Sequence, residues 1–330
     1  MSERFLVTGA LGCIGAWVVK RLVAAGAPVW TYDLPSEPHR LRLIMDDNAL
    51  AKVNMLGGDI TDEKTFGKAI VNNGITHVIH LAALQVPFVK ADPLQGVKVN
   101  VLGTAVVLET LRRNKEQIKG FAYASSAGVY GPSAMYPDGV IKHDSPMRPT
   151  HLYGVHKMAD EGMTRIYDQD YGLRSIGLRP YVIYGPGRDQ GMTSTPTKAM
   201  LAAAVGRPYH ISYGGTVVFQ HADDAAGAFI QAARKSAESV GAPVYNLGGA
   251  TESMAAVVAY IEAAAPSSAG KITFNPQPLD TAPDVDGQPL DDALGKVNWV
   301  PMAQGVKQTI DLLRTGVATS RVNVDKILAA

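Results

Sequence analysis

Short apolar runs alternate with longer amphipathic segments along this chain, and the alternation predicts strands and helices in turn. The first run is Phe-Leu-Val-Thr at residues 5–8, and the helix predicted after it, residues 12–25, ends at the stop signal Gly26. Further strands are predicted at residues 29–32, 53–56, 77–81, 121–124 and 175–178. Strands that alternate with helices are typical of a parallel α/β sheet.

Two longer helices are predicted further along. The first begins at Asp92, a capping carboxylate followed by proline, and its apolar residues recur at three- and four-residue steps as far as Leu108. The second spans residues 150–170. After Pro180 the pattern loosens, and residues 275–292 show no period, which indicates a long functional or mobile loop.

These elements predict an α/β protein with a doubly wound parallel sheet, the Rossmann arrangement, in residues 1–180. A strand near residues 243–248 is expected to return to that sheet. Residues 181–330 are predicted to form a smaller region that is largely substrate-binding and caps the sheet.

Composition narrows the class of protein. The 330 residues carry a net charge of +1 without runs of like charge, so no nucleic-acid surface is indicated. The apolar runs are too short to span a membrane, and the first strand begins too early to leave room for a signal peptide. Cys13 is the only cysteine, and the eight histidines lack a metal-binding spacing. We therefore expect a cytoplasmic protein with no disulfide and no metal site.

A glycine-rich turn follows the first strand. Gly9, Gly12 and Gly15 stand where the first helix begins, which is the context of a dinucleotide-binding turn. Glycines permit close approach of the backbone to a pyrophosphate, and the helix N-terminus offers N–H donors. Because the same spacing also occurs where a helix merely packs on a strand, a second feature is needed.

Asp33 supplies that feature at the end of the second strand, where a carboxylate accepts hydrogen bonds from an adenosine ribose. Its charge would repel a 2′-phosphate, so NAD is favoured over NADP, although Arg40 nearby leaves room for NADP. Asp59 and Ile60 follow the third strand and are candidates for bracketing the adenine.

Tyr153 and Lys157 lie four residues apart, on one face of the second long helix. Lowering the pKa of a phenol from about 10 to about 7 takes roughly 4 kcal/mol, which one ammonium at ~4 Å supplies at an effective dielectric constant of ~20. Ser126 ends a strand and is placed to hydrogen-bond a substrate oxygen. Together these residues predict proton abstraction beside a nicotinamide.

In order and spacing these residues resemble the extended short-chain dehydrogenase/reductase family, in its epimerase/dehydratase branch, over nearly the whole chain. The segments that carry the resemblance are VTGALGCIG at 7–15, GDITD at 58–62, HLAA at 80–83, NVLGT at 100–104, SSAGVYG at 125–131, YGP at 184–186 and LGKVNWVP at 294–301.

The resemblance implies an NAD-binding enzyme in which Tyr153 is the base, Lys157 also holds the nicotinamide ribose, and Ser126 is the catalytic serine. It implies further cofactor contacts at Cys13, Ile14, Leu34, Leu81, Ala82, Ala83, Asn100, Ala124, Pro180, Tyr181 and Val182.

Departures from the family's pattern bear on the substrate. Ala127 and Gly128 replace the Asp-Glu pair of the family's dehydratases, so water elimination from a sugar is not expected. The nucleotide-sugar enzymes of the family carry an Asn and two Arg at or near positions held here by Val182, Val217 and Thr281. Because these side chains cannot replace charge-assisted contacts, we expect a substrate without a nucleotide handle.

The candidate substrate-facing residues are Gln85, Ser126, Arg188, Thr193 and His221. Arg188 lies in a loop beyond the sheet edge, where a guanidinium could clamp a carboxylate or phosphate, or could simply be an exposed loop residue. His221 fits a structural histidine as well as a substrate contact.

We therefore predict an NAD-dependent oxidoreductase acting on a secondary alcohol of a small free sugar, sugar acid or hydroxy acid. An NAD-dependent epimerase, which returns the hydride to the other face, would use the same residues. A non-catalytic NAD-binding sensor is disfavoured because Tyr153 and Lys157 are both present. The resemblance also implies a homodimer built from the helices near 92–113 and 150–171. The sequence does not identify the substrate, its stereochemistry or the direction of reaction.

Overall fold

The computed structural model describes residues 3–329, and a parallel sheet forms its centre. The strands, in chain order, are β1 Phe5–Thr8, β2 Val29–Asp33, β3 Asn54–Gly57, β4 His77–His80, β5 Gly120–Ala124, β6 Val140–Ile141, β7 Ile176–Arg179, β8 Val182–Tyr184, β9 Tyr209–Ile211, β10 Thr216–His221, β11 Val244–Asn246, β12 Ala250–Ser253, β13 Ile272–Phe274 and β14 Asp284–Val285. The helices are α1 Cys13–Ala24, α2 His39–Ile44, α3 Asp47–Leu50, α4 Glu63–Asn72, α5 Val86–Ala91, α6 Pro93–Val97, α7 Gly103–Arg113, α8 Leu152–Tyr171, α9 Thr195–Ala204, α10 Ala222–Lys235, α11 Met254–Ala264, α12 Gln288–Leu294, α13 Met302–Ala318 and α14 Val324–Ala329.

Seven strands pair in the order β11-β7-β5-β4-β1-β2-β3, all of them parallel. Helices cover both faces, as the interior strand β1 shows. Its alternate residues Phe5 and Val7 belong to a core shared with α1 and α10, whereas Leu6 belongs to a core shared with α4 and α7. Successive side chains of a strand point to opposite faces, so a strand buried on both sides is apolar throughout. The predicted doubly wound α/β fold is confirmed.

A third core lies in the later part of the chain, where α9, α11 and α13 pack around β8 and β10. These two strands are parallel, and β12 joins β10 in the antiparallel sense. β11 belongs to the main sheet, where it forms an edge beside β7. The predicted division into residues 1–180 and 181–330 stays a prediction, and residues 1, 2 and 330 lie outside the described range.

The first predicted long helix begins at Asp92 as expected, but the structure interrupts it with a π-helical turn. α5 precedes Asp92, whose side chain accepts a hydrogen bond from the Gln95 N–H at the start of α6. A π-helical turn at Lys98–Leu102 then separates α6 from α7. Asn100 lies in this turn and is fully buried, so the wider turn carries an amide into the protein interior.

The predicted loop at residues 275–292 is also wrong in part. β14 lies within it and pairs in parallel with β6, and α12 begins at Gln288. A strand of two residues and a helix of seven are too short to show a period in the sequence.

Candidate functional site

The glycine-rich turn forms a cradle at the carboxyl end of β1. Gly9 has φ of 65°, and a Cβ on it would lie 2.6 Å from the backbone nitrogen of Ala82. A Cβ on Gly15 would collide with the Gly9 carbonyl oxygen. The backbone is therefore bare where α1 begins, and the turn fits the pyrophosphate of a dinucleotide.

Asp33 is the last residue of β2, and like the glycine cradle it lines a cavity at this edge of the sheet. Its carboxylate accepts hydrogen bonds from the N–H groups of Leu11 and Leu34, both at 2.9 Å. Burial raises the pKa of Asp33, against the lowering effect of these hydrogen bonds. The side chain is thus held in place beside Leu34 at the position expected for an adenosine ribose.

Arg40, which left NADP open in the sequence, is engaged elsewhere. Its Nη2 lies 2.6 Å from Asp189 Oδ1, and its Nη1 donates to the Leu11 carbonyl oxygen at 2.8 Å. Its Nε donates to the Gly187 carbonyl oxygen at 3.0 Å. A guanidinium already neutralised by a carboxylate is a poor receptor for a 2′-phosphate, which favours NAD.

The cavity has a volume of about 940 Å³ and is lined both by Asp33, the residue predicted to bind the adenosine ribose, and by the predicted reacting residues Tyr153 and Lys157. The structure brings most of the predicted site residues onto its walls. These are Gly9, Gly12, Cys13, Ile14, Gly15, Asp33, Leu34, Asp59, Ile60, Leu81, Ala82, Ala83, Gln85, Ala124, Ser126, Tyr153, Lys157, Pro180, Tyr181, Val182, Arg188 and Thr193.

Helix α8 carries Tyr153 and Lys157 to one end of the cavity. The Lys157 Nζ lies 6.0 Å from the centroid of the Tyr153 ring, and the lysine is only 2% exposed. Ser126 follows β5, and its Oγ accepts a hydrogen bond from the Gly128 N–H at 3.0 Å. Because that bond uses an oxygen lone pair, the Ser126 hydroxyl hydrogen is free to donate to a substrate oxygen.

Asp160, which was not among the predicted site residues, lies beside the predicted reacting lysine. Its Oδ2 lies 3.1 Å from the Lys157 Nζ, and both side chains are almost completely buried. Burial raises the pKa of Asp160 to about 6, against the Lys157 ammonium. Burial lowers the pKa of Lys157, but Asp160 and Tyr153 outweigh it, so the pKa of Lys157 is raised. The signal was an aspartate three residues after the lysine on one helix face.

Asn100 does not line the cavity, which corrects its predicted contact with the cofactor. Its Oδ1 accepts from the Leu84 N–H at 2.7 Å, and its Nδ2 donates to the Leu84 carbonyl oxygen at 2.9 Å. The side-chain amide of Asn100 thus pairs with both the N–H and the carbonyl group of Leu84, and it holds the segment after β4 in place. Asn100 therefore supports the wall that Leu81 and Ala82 form.

His221 is likewise outside the cavity walls, contrary to its predicted contact with substrate. Its ring packs edge-on against Trp17 and Tyr184, and its Nδ1 accepts from the Asp223 N–H at the start of α10. Burial lowers the pKa of His221 to about 4, so the ring is neutral at pH 7. The structure places it as a helix cap in a packed position.

The segment after β13 also lines the cavity, although no contact was predicted for it from the sequence. Thr281 lies on the cavity wall, and its Oγ1 is 2.7 Å from the Tyr181 hydroxyl oxygen. The signal was the long segment rich in proline and aspartate, since such segments often carry binding residues.

No group of three or more His, Cys, Asp or Glu side chains within residues 3–329 is placed to hold a metal ion. Burial raises the pKa of Cys13 to about 11, so this thiol on the cavity wall is not a nucleophile at neutral pH. No helix within the described range has the length and apolar character needed to cross a membrane.

The comparisons with known proteins agree with this geometry. The sequence profile of the "NAD dependent epimerase/dehydratase family" matches residues 5–248. A UDP-glucose 4-epimerase of Mycolicibacterium smegmatis is 29% identical over 324 residues, which cover 94% of this chain and 98% of that protein. UDP-glucuronate 4-epimerase 1 of Arabidopsis thaliana is 30% identical over 258 residues, which cover 74% of this chain but only 58% of the plant protein.

Among solved structures, the UDP-glucose 4-epimerase of Thermus thermophilus in complex with NAD superposes with a TM-score of 0.77. It is 26% identical, and the match covers 94% of this chain and 99% of the Thermus chain. The similarity therefore extends over the sheet, the cavity and the later part of the chain together.

Proposed function

The chain belongs to the NAD-dependent epimerase/dehydratase family, and from this premise we propose that it oxidises a secondary alcohol of a small sugar, sugar acid or hydroxy acid. It is an NAD-dependent enzyme. The observation that supports the proposed reaction is that Tyr153, Lys157 and Ser126 line the same cavity as the glycine cradle. A phenol, an ammonium and a hydroxyl group are the groups required to remove a proton from an alcohol.

NAD supplies the hydride acceptor when it is bound. As the base, Tyr153 acts in its phenolate form, which the Lys157 ammonium stabilises, and it becomes a neutral phenol on taking the proton of the substrate hydroxyl. The Ser126 hydroxyl, whose hydrogen is free, donates to the substrate oxygen as that oxygen gains charge. Gly9 and Asp33, which line the same cavity, would hold the pyrophosphate and the adenosine ribose of the dinucleotide.

The residues near the three positions where the family's nucleotide-sugar enzymes carry polar anchors support a substrate without a nucleotide handle. Val182 is buried on the cavity wall, and Val217 is buried in the third core. Thr281 is hydrogen-bonded to the Tyr181 hydroxyl. None of the three presents a cation or an amide to the cavity, so a diphosphate would gain no charge-assisted contact from them.

The test is NADH absorbance with purified protein, NAD and a panel of free sugars, sugar acids and small hydroxy acids. We expect at least one panel member to reduce NAD, and a Tyr153→Phe variant to lose the rate by roughly a hundredfold or more. UDP-glucose and UDP-glucuronate are included as competitors of the other class. Turnover of a nucleotide sugar with no activity in the panel would refute the proposal.

An epimerase is the second candidate, favoured by the mycobacterial relative that is matched over 98% of its length. An epimerase keeps its cofactor and accumulates no NADH, because the hydride returns to the opposite face of the carbonyl formed from the substrate alcohol. Retention of NAD through dialysis together with a product isomeric with the substrate would select this function. Release of NADH in proportion to product would select the dehydrogenase.

We also propose a homodimer and a cytoplasmic location. Apolar side chains on α6 and α8 face solvent, and among them Leu94 is 77% exposed, while Leu152 and Val155 are also exposed. A second copy of this chain would cover them by helix packing, because exposed apolar side chains gathered on neighbouring helices mark an interaction surface. Cell fractionation tests the location, and recovery of the protein in the membrane fraction would reject it.

A further inference from the structure

One arginine on the cavity wall has no acid as a partner. Arg188 follows the turn after β8, and its Nη1 and Nη2 donate to the neutral acceptors Gln85 Oε1 at 3.3 Å and Thr193 Oγ1 at 3.1 Å. Its Nε–H is buried without a partner among the described residues. By contrast, Arg40 and Arg179 each meet a carboxylate within 2.7 Å.

Two acids of the cavity wall, Asp189 and Asp280, have hydrogen-bond partners other than Arg188. Asp189, the next residue along the chain, is held by Arg40 and lies 3.2 Å from the His39 ring. Asp280, on the cavity wall, accepts from the N–H and hydroxyl of Ser133. A partly buried guanidinium facing a cavity without an acid of its own is stabilised when an anion enters.

The contacts of Arg188 place it toward the reacting end of the cavity. Gln85 lies five residues after β4, which pairs with β5, and Ser126 lies just beyond β5. Gln85 and Ser126 therefore follow neighbouring strands, and adjacent strands of a sheet are ~4.8 Å apart. Thr193 approaches from the later part of the chain. Two neutral side chains thus hold the planar guanidinium from either side, and neither of them neutralises its charge.

We propose that Arg188 binds a carboxylate of the substrate at this wall of the cavity, and that the substrate is therefore a small hydroxy acid rather than a neutral sugar. The inference rests on the proposed oxidation of an alcohol and narrows its substrate class. Guanidinium and carboxylate match in a two-point geometry that a neutral hydroxyl group cannot replace. Gln85 and Thr193 position the fork and do not themselves neutralise it.

The dinucleotide pyrophosphate is the other oxyanion within range, because the charge of Arg188 reaches Cys13 in the glycine turn and lowers its pKa against the effect of burial. That pyrophosphate already has the N-terminus of α1 and the bare cradle as its receptor. We therefore assign Arg188 to the substrate, and the experiment separates the two sources.

The experiment compares wild type, Arg188→Gln, Arg188→Lys and the control Arg174→Gln. Arg174 is exposed and donates only to a backbone carbonyl oxygen, so its loss should change nothing. Calorimetry gives the affinity for NAD, and steady-state rates give KM for the acid found in the panel. In Arg188→Gln we expect KM to rise roughly tenfold to hundredfold while NAD affinity stays within about twofold. Arg188→Lys should recover part of the loss because it keeps the charge.

Weakened NAD binding in Arg188→Gln with KM unchanged would assign the arginine to the pyrophosphate and overturn the inference. Equal turnover of an acid and its neutral amide analogue would also overturn it, and would leave the proposed oxidation standing. Binding of malonate to the NAD-loaded protein provides a readout without turnover. If malonate binds wild type but not Arg188→Gln while no panel member is oxidised, the anion site stands and the proposed reaction fails. Thermal unfolding of each variant shows that it is folded.

Discussion

At the scale of single residues, the buried pair of Lys157 and Asp160 sets the charge beside Tyr153. An isolated ammonium is strongly disfavoured in a site only 2% exposed, so the carboxylate at 3.1 Å keeps the lysine protonated. The same carboxylate offsets part of the positive potential at the phenol. His80, on β4, has its pKa lowered to about 3 by burial and by Lys157, and therefore adds no charge at neutral pH.

Replacing Asp160 by Asn should lower the rate and move its pH dependence. The carboxylate is the largest influence that raises the pKa of Lys157, and without it burial lowers that pKa, with Glu161 as the remaining acid nearby. A lysine that loses its proton more readily stabilises the phenolate less, so kcat should fall at pH 7 and the half-maximal pH should rise.

The measurement is a pH–rate profile of Asp160→Asn beside the control Asp170→Asn, which changes an exposed acid on the same helix. NAD affinity should change little in either variant if the effect lies in proton transfer. A profile of Asp160→Asn that overlays that of wild type would show that Asp160 has no influence on the reacting phenol.

At the scale of elements, the turn between β1 and α1 depends on a backbone that no side chain crowds. A Cβ on Gly9 would lie 2.6 Å from the Ala82 nitrogen, and its φ of 65° is a left-handed conformation. Gly9→Ala should therefore destabilise the protein by ~1–3 kcal/mol and abolish measurable NAD binding.

Gly26 provides a matched control, because its φ is 71° but nothing lies within 4 Å of a Cβ built on it. Gly26→Ala should show the cost of the left-handed backbone, about 1 kcal/mol, with NAD affinity unchanged. Urea unfolding and calorimetric NAD titration measure both quantities. Normal NAD binding by Gly9→Ala would contradict the assignment of the turn as the cofactor cradle.

Helix α2 is joined to the segment after β8 by the ion pair of Arg40 and Asp189, and this link should decide cofactor choice together with Asp33. Asp33→Asn alone should weaken NAD use but leave NADP use poor, because Arg40 remains neutralised by Asp189. Adding Asp189→Asn frees the guanidinium, so the KM for NADP should fall at least roughly tenfold relative to the single variant. Steady-state rates with both cofactors provide the test, and an unchanged KM for NADP in the double variant would refute the role of the link.

At the scale of the whole molecule, buried neutral histidines should limit stability in acid. Burial lowers the pKa of His80 to about 3 and of His221 to about 4, below the unfolded value of about 6.5. The unfolded chain therefore binds protons first, so the stability that these groups contribute is present above pH 6.5 and is lost as pH falls toward 3.

We expect the urea concentration at the unfolding midpoint to decrease when the pH is lowered from 7 to 4.5. The two histidines together should lower the free energy of unfolding by roughly 3 kcal/mol or more over this range. His221→Asn should flatten the pH dependence, whereas the same change at the exposed His210 should not. An identical slope for His221→Asn and wild type would show that this histidine is not protonated on unfolding.

The proposed dimer should separate when charge is placed on the exposed apolar side chains of α6 and α8. Leu94→Glu with Val155→Glu should convert a dimer into a monomer in equilibrium sedimentation, because carboxylates oppose burial in a helix interface. Val240→Glu is the control, since Val240 is 96% exposed and lies outside these helices. Wild-type protein that sediments only as monomer would reject the dimer.

The sequence by itself determined the features that local chemistry encodes. Short apolar runs marked the strands of the main sheet, and three- and four-residue steps marked its helices. Gly9, Asp33, Ser126 and Tyr153 were recognisable because they follow predicted strands or stand near the start of a predicted helix. Parallel strands bring their carboxyl ends to one edge, so these residues were expected on one cavity before any distance was known. The short elements β14 and α12 escaped because they are too brief for a period to register.

Only the tertiary structure decided which polar groups find partners. Arg188 meets Gln85 across 103 positions of sequence, and Arg40 meets Asp189 across 149, so no local pattern could show that one guanidinium is neutralised and the other is not. Asn100 and His221 have side chains that could bind a ligand, but in the folded protein they hydrogen-bond to the backbone of Leu84 and of Asp223 instead. Burial and long-range contact set the charge of a side chain, and both arise only when distant segments fold together.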